Sequence, residues 1–257
     1  MTTTDTPADQ PDHPNQPDQP DQPDQANQAD HPDQVAALVP AATVVLLRDG
    51  TNGLETLMMR RNSKLSFVGG MWVFPGGRVD DADYPPNNPS DVYTASLNAA
   101  VREAAEEANL TIPPEHLVPY AHWTPPLDYP KRFATWFFLA PAPPGDVTVD
   151  GGEIHEHAWW APKETLALHA AGEIEMLAPT YITLMELAQQ PDTKTALASA
   201  RNRADNIPHY ATHTAHAADH PVALWQQDAG YDSYDADAVG PRHRLAMKPG
   251  GWRFEQT

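Results

Sequence analysis

Two segments of the chain carry most of its information about fold and chemistry. They read Phe74-Pro75-Gly76-Gly77-Arg78-Val79-Asp80 and Ala99-Ala100-Val101-Arg102-Glu103-Ala104-Ala105-Glu106-Glu107-Ala108-Asn109-Leu110. The second lies within residues 92–110, a stretch without Gly or Pro that is rich in strong helix formers and therefore predicts a helix. Residues three and four positions apart share a helix face, so Glu103, Glu106 and Glu107 are expected to project together. Arg102, four residues before Glu106, is placed to hold that carboxylate.

The three glutamates predict a metal site. Carboxylates on one helical patch repel one another, and a divalent cation would turn that repulsion into ligation. Hard oxygen ligands suit Mg²⁺ or Mn²⁺. The Phe-Pro-Gly-Gly run predicts a turn, in which Gly76 and Gly77 let the backbone approach a ligand closely. The alternative is a solvated acidic helix face after an ordinary turn, but the two segments occur together and in order, which favours a metal and phosphate site.

Together the two segments resemble the Nudix box, G-x5-E-x7-R-E-U-x-E-E-x-G-U, where U is a bulky apolar residue. Ala104 replaces the bulky apolar residue, and Asn109 replaces the late glycine, although Asn also adopts the left-handed conformation that ends helices. The residues that match the pattern are Gly77, Arg102, Glu103, Glu106, Glu107 and Leu110.

The box in this chain is split. Counting back from Arg102 places Thr94 at the first glutamate of the pattern, whereas counting forward from Gly77 places Asp83 there. The two counts differ by 11 residues, and the Pro-rich segment 84–90 is the predicted insertion. Which residue takes the place of that glutamate is open at this point.

The resemblance implies a fold and a reaction. The fold is the Nudix α/β/α sandwich with a mixed β-sheet, covering roughly residues 40–200, and the reaction is Mg²⁺-dependent hydrolysis of a diphosphate linked to a nucleoside, with Mn²⁺ as a possible substitute. The implied metal ligands are Glu103, Glu106, Glu107 and a carbonyl group of Gly76 or Gly77. In the family, an acidic residue ahead of a Trp-containing strand often acts as base or as a further metal ligand. The implied catalytic residues are therefore Glu106, Arg102, Glu153 as the first choice of base, and Glu156 as the second.

The apolar patterns agree with a mixed fold. Residues 42–47 and 54–60 predict two strands joined as a hairpin by the turn at 49–53, and residues 117–123 and 132–139 predict two more. Residues 162–203 predict helices, with Pro162 and Pro179 at favourable helix starts. The predicted Nudix domain spans residues 35–203, and residues 204–257 are expected to be a C-terminal extension that packs on it.

Composition narrows the class of protein. Residues 1–34 are a low-complexity Pro/Asp/Gln-rich tail with eight Asp and no Lys or Arg, which predicts disorder. The net charge of −19 argues against nucleic acid as a partner, because nucleic-acid binding needs basic patches. The 257 residues include no Cys, hence no disulfide, and neither a signal pattern nor a membrane-spanning apolar run is present. We therefore expect a cytoplasmic, soluble protein without a membrane partner.

Two further segments leave alternatives open. Arg60 and Arg61 begin a short basic segment that either binds substrate phosphates, together with Gly76 and Gly77, or is a solvated loop. The histidines of the second segment would align on a helix and then invite a metal interpretation, but prolines bracket the run, so we favour an extended or loop segment. These histidines are His209, His213, His216 and His220.

The substrate is suggested by a narrower resemblance. Residues 70–83, with the split box, and the segments at 177–180 and 240–244 look like the coenzyme A diphosphatase subgroup known from peroxisomes. That resemblance implies cleavage of coenzyme A or acyl-coenzyme A to 3′,5′-ADP and a phosphopantetheine. The subgroup usually has an Arg where this chain has Ser66, and Arg60 with Arg61 is the alternative for the 3′-phosphate. Other candidates are hydrolysis of ADP-ribose, NADH or a nucleotide sugar, and a catalytically silent module. A homodimer is a further expectation.

Overall fold

A long strand, Leu38–Gly50, forms the middle of the main β-sheet in the computed structural model. The structure describes residues 35–65, 68–149 and 151–257. The disorder predicted for residues 1–34, and the position of Ser66, lie outside the described residues.

The described chain runs from four strands through one long helix and three more strands to three helices, and ends in five strands. The strands are β1 Leu38–Gly50, β2 Gly53–Arg61, β3 Trp72–Val73, β4 Gly76–Arg78, β5 Val118–Thr124, β6 Arg132–Pro141, β7 Ile154–Trp160, β8 His209–Ala211, β9 His213–His216, β10 Pro221–Leu224, β11 His243–Lys248 and β12 Gly251–Gln256. The helices are α1 Val92–Ala108, α2 Pro162–Ala170, α3 Ala178–Leu187 and α4 Thr193–Asn202. In the part of the chain that the structure describes, no helix is long and apolar enough to cross a membrane.

The main sheet is mixed, as the resemblance implied. Its strand order is β3-β2-β1-β6-β5-β8, with β4 also paired to β1 and β7 to β2. The pairs β1–β6 and β5–β8 are parallel, whereas β1–β2, β5–β6 and the pairs of β4 and β7 are antiparallel. The predicted hairpin between the first two strands is confirmed by the antiparallel register of Leu47 with Thr56. The fold prediction is therefore confirmed.

The apolar run of β1 separates two cores, one on each face of the sheet. Val44 and Leu46 pack into a cluster with α1, while Val45 and Leu47 pack into a cluster with α3 and α4. Side chains alternate between the two faces of a strand, so a strand covered on both sides is apolar throughout. The face of α1 toward the sheet consists largely of alanines, which bring the helix close to β1 and β4. These are Ala95, Ala99, Ala100, Ala104 and Ala108, each fully buried.

The predicted turn at the two glycines is wrong, because Gly76 and Gly77 lie in β4. They pair with Thr43 and Ala42 of β1. A Cβ atom on Gly76 would overlap the carbonyl oxygen of Ala42, and one on Gly77 would overlap the Glu103 carboxylate. Glycine is therefore required at position 76, where the nearest neighbouring atom is backbone, whereas at position 77 the neighbour is the flexible end of the Glu103 side chain.

Residues 204–257 add strands to the fold. β8 joins the main sheet beside β5, and β9 to β12 form a second, antiparallel sheet. His209 lies in β8, and His213 and His216 lie in β9, which agrees with the favoured extended interpretation. Residues 35–257 form one compact unit. The domain boundary predicted at residue 203 stays a prediction.

Candidate metal and diphosphate site

The carboxylate of Glu107 is anchored to β4. It accepts a hydrogen bond of 2.9 Å from the backbone N–H of Gly76, and the residue is only 5% exposed. Glu103, one turn earlier on α1, lies against Gly77. The alanine face of α1 brings these two glutamates to the strand, so the two segments singled out in the sequence meet in space.

Arg102 gathers the carboxylates on the other side of this cluster. Its guanidinium donates to both oxygens of Asp83, at 3.1 and 2.9 Å, and to Glu103 and Glu106 at 2.8 and 2.9 Å. It also donates to the carbonyl oxygen of Arg78, at 3.0 Å. The hydrogen bonds to Asp83 are the largest of the effects that raise the pKa of Arg102, so this guanidinium stays charged.

The C-terminal end of β2 and the N-terminal end of β7 contribute two further pairs of arginine and glutamate. Arg61 pairs with Glu153 at 3.2 Å, and Arg60 pairs with Glu156 at 3.4 Å. The two arginines line an open cleft of about 350 Å³, together with Ser63, His155 and Glu156. Glu153 directly precedes β7, as predicted, whereas Glu156 lies within the strand, so its predicted position ahead of the strand is wrong.

Burial and mutual repulsion perturb the glutamates of α1. Burial raises the pKa of Glu107 to about 8; the N–H of Gly76 and the Arg61 charge lower it, while Glu103 and Glu153 raise it. Burial also raises the pKa of Glu103, which Arg102 lowers and Glu153 raises. Glu153 therefore acts electrostatically on both glutamates, although it comes from a distant part of the chain.

A family model described as the NUDIX domain matches residues 37–179. That is more than half of the chain, and it includes both segments of the box and the acidic residue before β7. The chain belongs to the Nudix family.

Individual relatives are more distant. The putative nudix hydrolase 7 of Caenorhabditis elegans is 26% identical over 192 residues, which cover 59% of this chain and 61% of that protein. The chain thus spans less than two thirds of that curated relative. The crystal structure of a NUDIX hydrolase from Alicyclobacillus acidocaldarius superposes with a TM-score of 0.58 at 24% identity, over 64% of this chain and 97% of that one. This second likeness supports the fold alone.

The split of the Nudix box has a structural answer. Asp83 is buried beside Arg102, its carboxylate also accepts the N–H of Asp80 at 2.8 Å, and its carbonyl oxygen accepts from Asn98 at 2.8 Å. Thr94 instead lies in the first turn of α1, where its N–H and hydroxyl bond to Asp91. Counting forward from the glycine therefore finds the residue that holds the box arginine. The helix ends at Asn109, which stands in place of the box glycine and adopts the expected left-handed conformation (φ 56°).

The carboxylates of Glu103, Glu106 and Glu107 are the type of ligand that a hard divalent cation prefers. The buried carboxyl of Glu107 and the partly buried one of Glu103 both have raised pKa values, and a cation between them would offset the cost of burying their charges and their repulsion. As the side chains stand, Arg102 holds Glu103 and Glu106. Among the described residues, no three His, Asp or Glu side chains are arranged to hold a metal ion. The predicted ligand set therefore stays a prediction, and it requires a cation to compete with Arg102 for its carboxylates.

Proposed function

We propose that this Nudix protein is a Mg²⁺-dependent hydrolase that cleaves the diphosphate bond of a nucleoside diphosphate derivative. The observation that carries the proposal is the meeting of Glu103 and Glu107 with the β4 glycines on one side and Arg61 with Glu153 on the other. Carboxylates for a cation and arginines for phosphates thereby border one site. A silent binding module would not need a buried and a partly buried carboxylate that cost stability when they are ionised.

The residues of α1 would hold the cation. Glu103, Glu106 and Glu107 supply carboxylate oxygens, and the backbone of Gly76 lies within hydrogen-bond distance of Glu107. Bound there, Mg²⁺ would neutralise the negative charge that develops at the phosphoryl group and would lower the pKa of a bound water. Arg102 orients Glu103 and Glu106, and Asp83 orients Arg102. Arg102 is on this proposal a positioning residue.

Glu153 is the better candidate for the base. Its charge acts on Glu103 and on Glu107, so it lies close to the site where the reacting water would be held. Glu156 pairs with Arg60 as Glu153 pairs with Arg61, and both side chains are more than half exposed, so pairing and exposure do not distinguish the two. A base must reach the attacking water within hydrogen-bond distance, directly or through one further water. The closeness of Glu153 to the glutamates of α1 therefore favours Glu153 as the group that accepts the proton.

Coenzyme A or acyl-coenzyme A is the substrate class that we propose, with 3′,5′-ADP and (acyl)phosphopantetheine as products. The proposal rests on the subgroup resemblance at residues 70–83, 177–180 and 240–244. It is supported by the two arginines that line the 350 Å³ cleft, because guanidinium groups bind phosphates through paired hydrogen bonds. Arg60 and Arg61 would take the phosphate groups outside the metal site, the 3′-phosphate among them.

A substrate panel tests the proposal. The purified protein is incubated with Mg²⁺ and coenzyme A, acetyl-coenzyme A, ADP-ribose, NADH or a dinucleoside polyphosphate, and the products are separated. Glu106→Gln is the inactive variant, and Glu115→Gln, an exposed change outside the site, is its matched control. Release of 3′,5′-ADP by the wild type and by the control only is the expected result.

The other outcomes discriminate between the alternatives. Cleavage of ADP-ribose, NADH or another nucleotide in the panel, but not of coenzyme A, keeps the chemistry and discards the substrate. No cleavage of any compound with Mg²⁺ or Mn²⁺ refutes the enzyme and leaves a nucleotide-binding module. Sedimentation of the same samples tests whether the protein is a homodimer.

A further inference from the structure

Arg61 is more deeply placed than its neighbour Arg60. Its side chain is 18% exposed, against 50% for Arg60, and it pairs with Glu153 at 3.2 Å. Its Nε atom is buried and donates to no other protein atom among the residues that the structure describes. The guanidinium thus sits at the boundary between the carboxylate cluster and the cleft, with donor capacity left over.

The pairing of β2 with β7 brings both arginines to the cleft. The register shifts at the end of β2: Arg60 pairs with Glu156, but Arg61 pairs with Ile154, so the extra residue, His155, lies in β7. Such a bulge re-aims side chains of the strand that carries it, and His155 and Glu156, although consecutive, both line the cleft. Arg60 and Arg61 line the same cleft, each beside a different glutamate.

Arg61 is also an electrostatic neighbour of the proposed cation ligands. Its positive charge acts on Glu107 in opposition to the negative charges of Glu103 and Glu153. It approaches the cluster from the side of the cleft, whereas Arg102 holds the cluster from the side of Asp83. A cation added to the cluster would therefore meet a positive charge that is already in place on the cleft side.

We propose that Arg61 is an exchangeable counter-ion beside this cluster, which neutralises Glu153 while the divalent cation is absent and turns to a substrate phosphate when the cation binds. The proposal rests on the proposed function, because it assumes the metal site on α1. Its physical basis is a competition between two positive charges for the same carboxylates. The Nε–H of Arg61, which has no acceptor among the described residues, is a donor for a phosphate oxygen once the guanidinium is released, and the open cleft has room for that phosphate.

Opposite effects on metal and substrate follow from this competition. Removing the Arg61 charge takes one positive charge away from Glu153 and makes the potential at the cluster more negative, so the cation should bind more tightly. The same change removes a phosphate donor, so the substrate should bind more weakly. General damage to the site would weaken both, which makes the opposition of signs the informative result.

Binding of Mn²⁺ in the absence of nucleotide tests the inference, with the free ion measured by electron paramagnetic resonance. We expect Arg61→Gln to bind Mn²⁺ roughly tenfold more tightly than the wild type. Arg61→Lys, which keeps the charge, should stay within about threefold of the wild type, and Arg60→Gln, the matched control at the neighbouring ion pair, within about twofold. The KM for the diphosphate substrate should rise in Arg61→Gln.

Two results would overturn the inference in distinguishable ways. If the wild type binds Mn²⁺, Glu107→Gln abolishes that binding and Arg61→Gln binds no more tightly than the wild type, the metal site stands and the role of Arg61 falls. If the wild type binds no Mn²⁺ at all, the proposed metal site fails and the role of Arg61 fails with it.

Discussion

Ionisation of the buried Glu107 should destabilise the metal-free protein, and Glu107→Gln should remove that cost. Burial raises the pKa of this carboxyl from 4.5 to about 8. Between about pH 4.5 and about pH 8 the Glu107 carboxyl keeps its proton in the folded protein, whereas the same carboxyl is ionised in the unfolded chain. The folded protein then binds more protons, so the free energy of unfolding falls as pH rises from about 4.5 to about 8.

The size of the effect follows from the same two values. One pH unit corresponds to about 1.36 kcal/mol, and the interval from 4.5 to about 8 spans roughly 3.5 units. The largest loss of stability is therefore about 5 kcal/mol, and relaxation of β4 around the carboxylate would reduce it to roughly 2 to 5 kcal/mol. In Glu107→Gln the amide oxygen can still accept the N–H of Gly76, so that hydrogen bond is kept.

Urea unfolding with a metal chelator, at about pH 5 and about pH 9, measures the effect. The wild type should lose roughly 2 to 4 kcal/mol more than Glu107→Gln between these two pH values, and at the higher pH the variant should be the more stable protein. Excess Mg²⁺ at the higher pH should restore the wild type selectively, because a ligand that binds only the folded state stabilises it. Parallel pH profiles for the two proteins would refute the reasoning.

Two further predictions concern the supports of the site, and a third concerns the second sheet. Asp83→Asn should weaken the hold on Arg102 and lower kcat at least tenfold, with the exposed Asp81→Asn as control in the same steady-state assay. Gly77→Ala should lower Mn²⁺ affinity in a binding titration, because the added methyl group overlaps the Glu103 carboxylate; an unchanged affinity would contradict that placement. In β11, Arg244 forms a buried ion pair with Asp228 at 2.5 Å, and Arg244→Met should cost about 3 to 5 kcal/mol in urea unfolding, because Asp228 then keeps its backbone donors but loses its counter-charge; a loss below about 1 kcal/mol would mean that the ion pair adds little.

Much of the fold could be predicted from local pattern. The apolar run of β1 marks a strand covered on both faces, and residues 92–110 lack every residue that breaks a helix. The position of Asn109 beyond the helix is equally local, since left-handed backbone favours Asn there. In these places propensity and tertiary structure favour the same conformation.

The remaining features depend on partners that are distant in the chain. Gly76 and Gly77 read as a turn because glycine is a poor strand former, yet the closeness of β1 and Glu103 selects glycine within β4. The cleft that Arg60 and Arg61 share with two consecutive residues of β7 depends on a register shift between β2 and β7, which the sequence of β2 alone does not contain. The strands of residues 204–257 carry many His and few alternating apolar residues, so their pairing could not be predicted.

The insertion in the box also matters for how this enzyme family can vary and be engineered. Residues 84–90 leave the site at Asp83, which Arg102 and Asn98 hold, and return at Asp91, which caps α1. Both ends are thus tied down independently of the length of chain between them. A peptide tag, a fluorophore or a whole reporter domain placed in this loop should leave the carboxylates where they are. Genome searches that demand a contiguous box would, for the same reason, overlook chains built in this way.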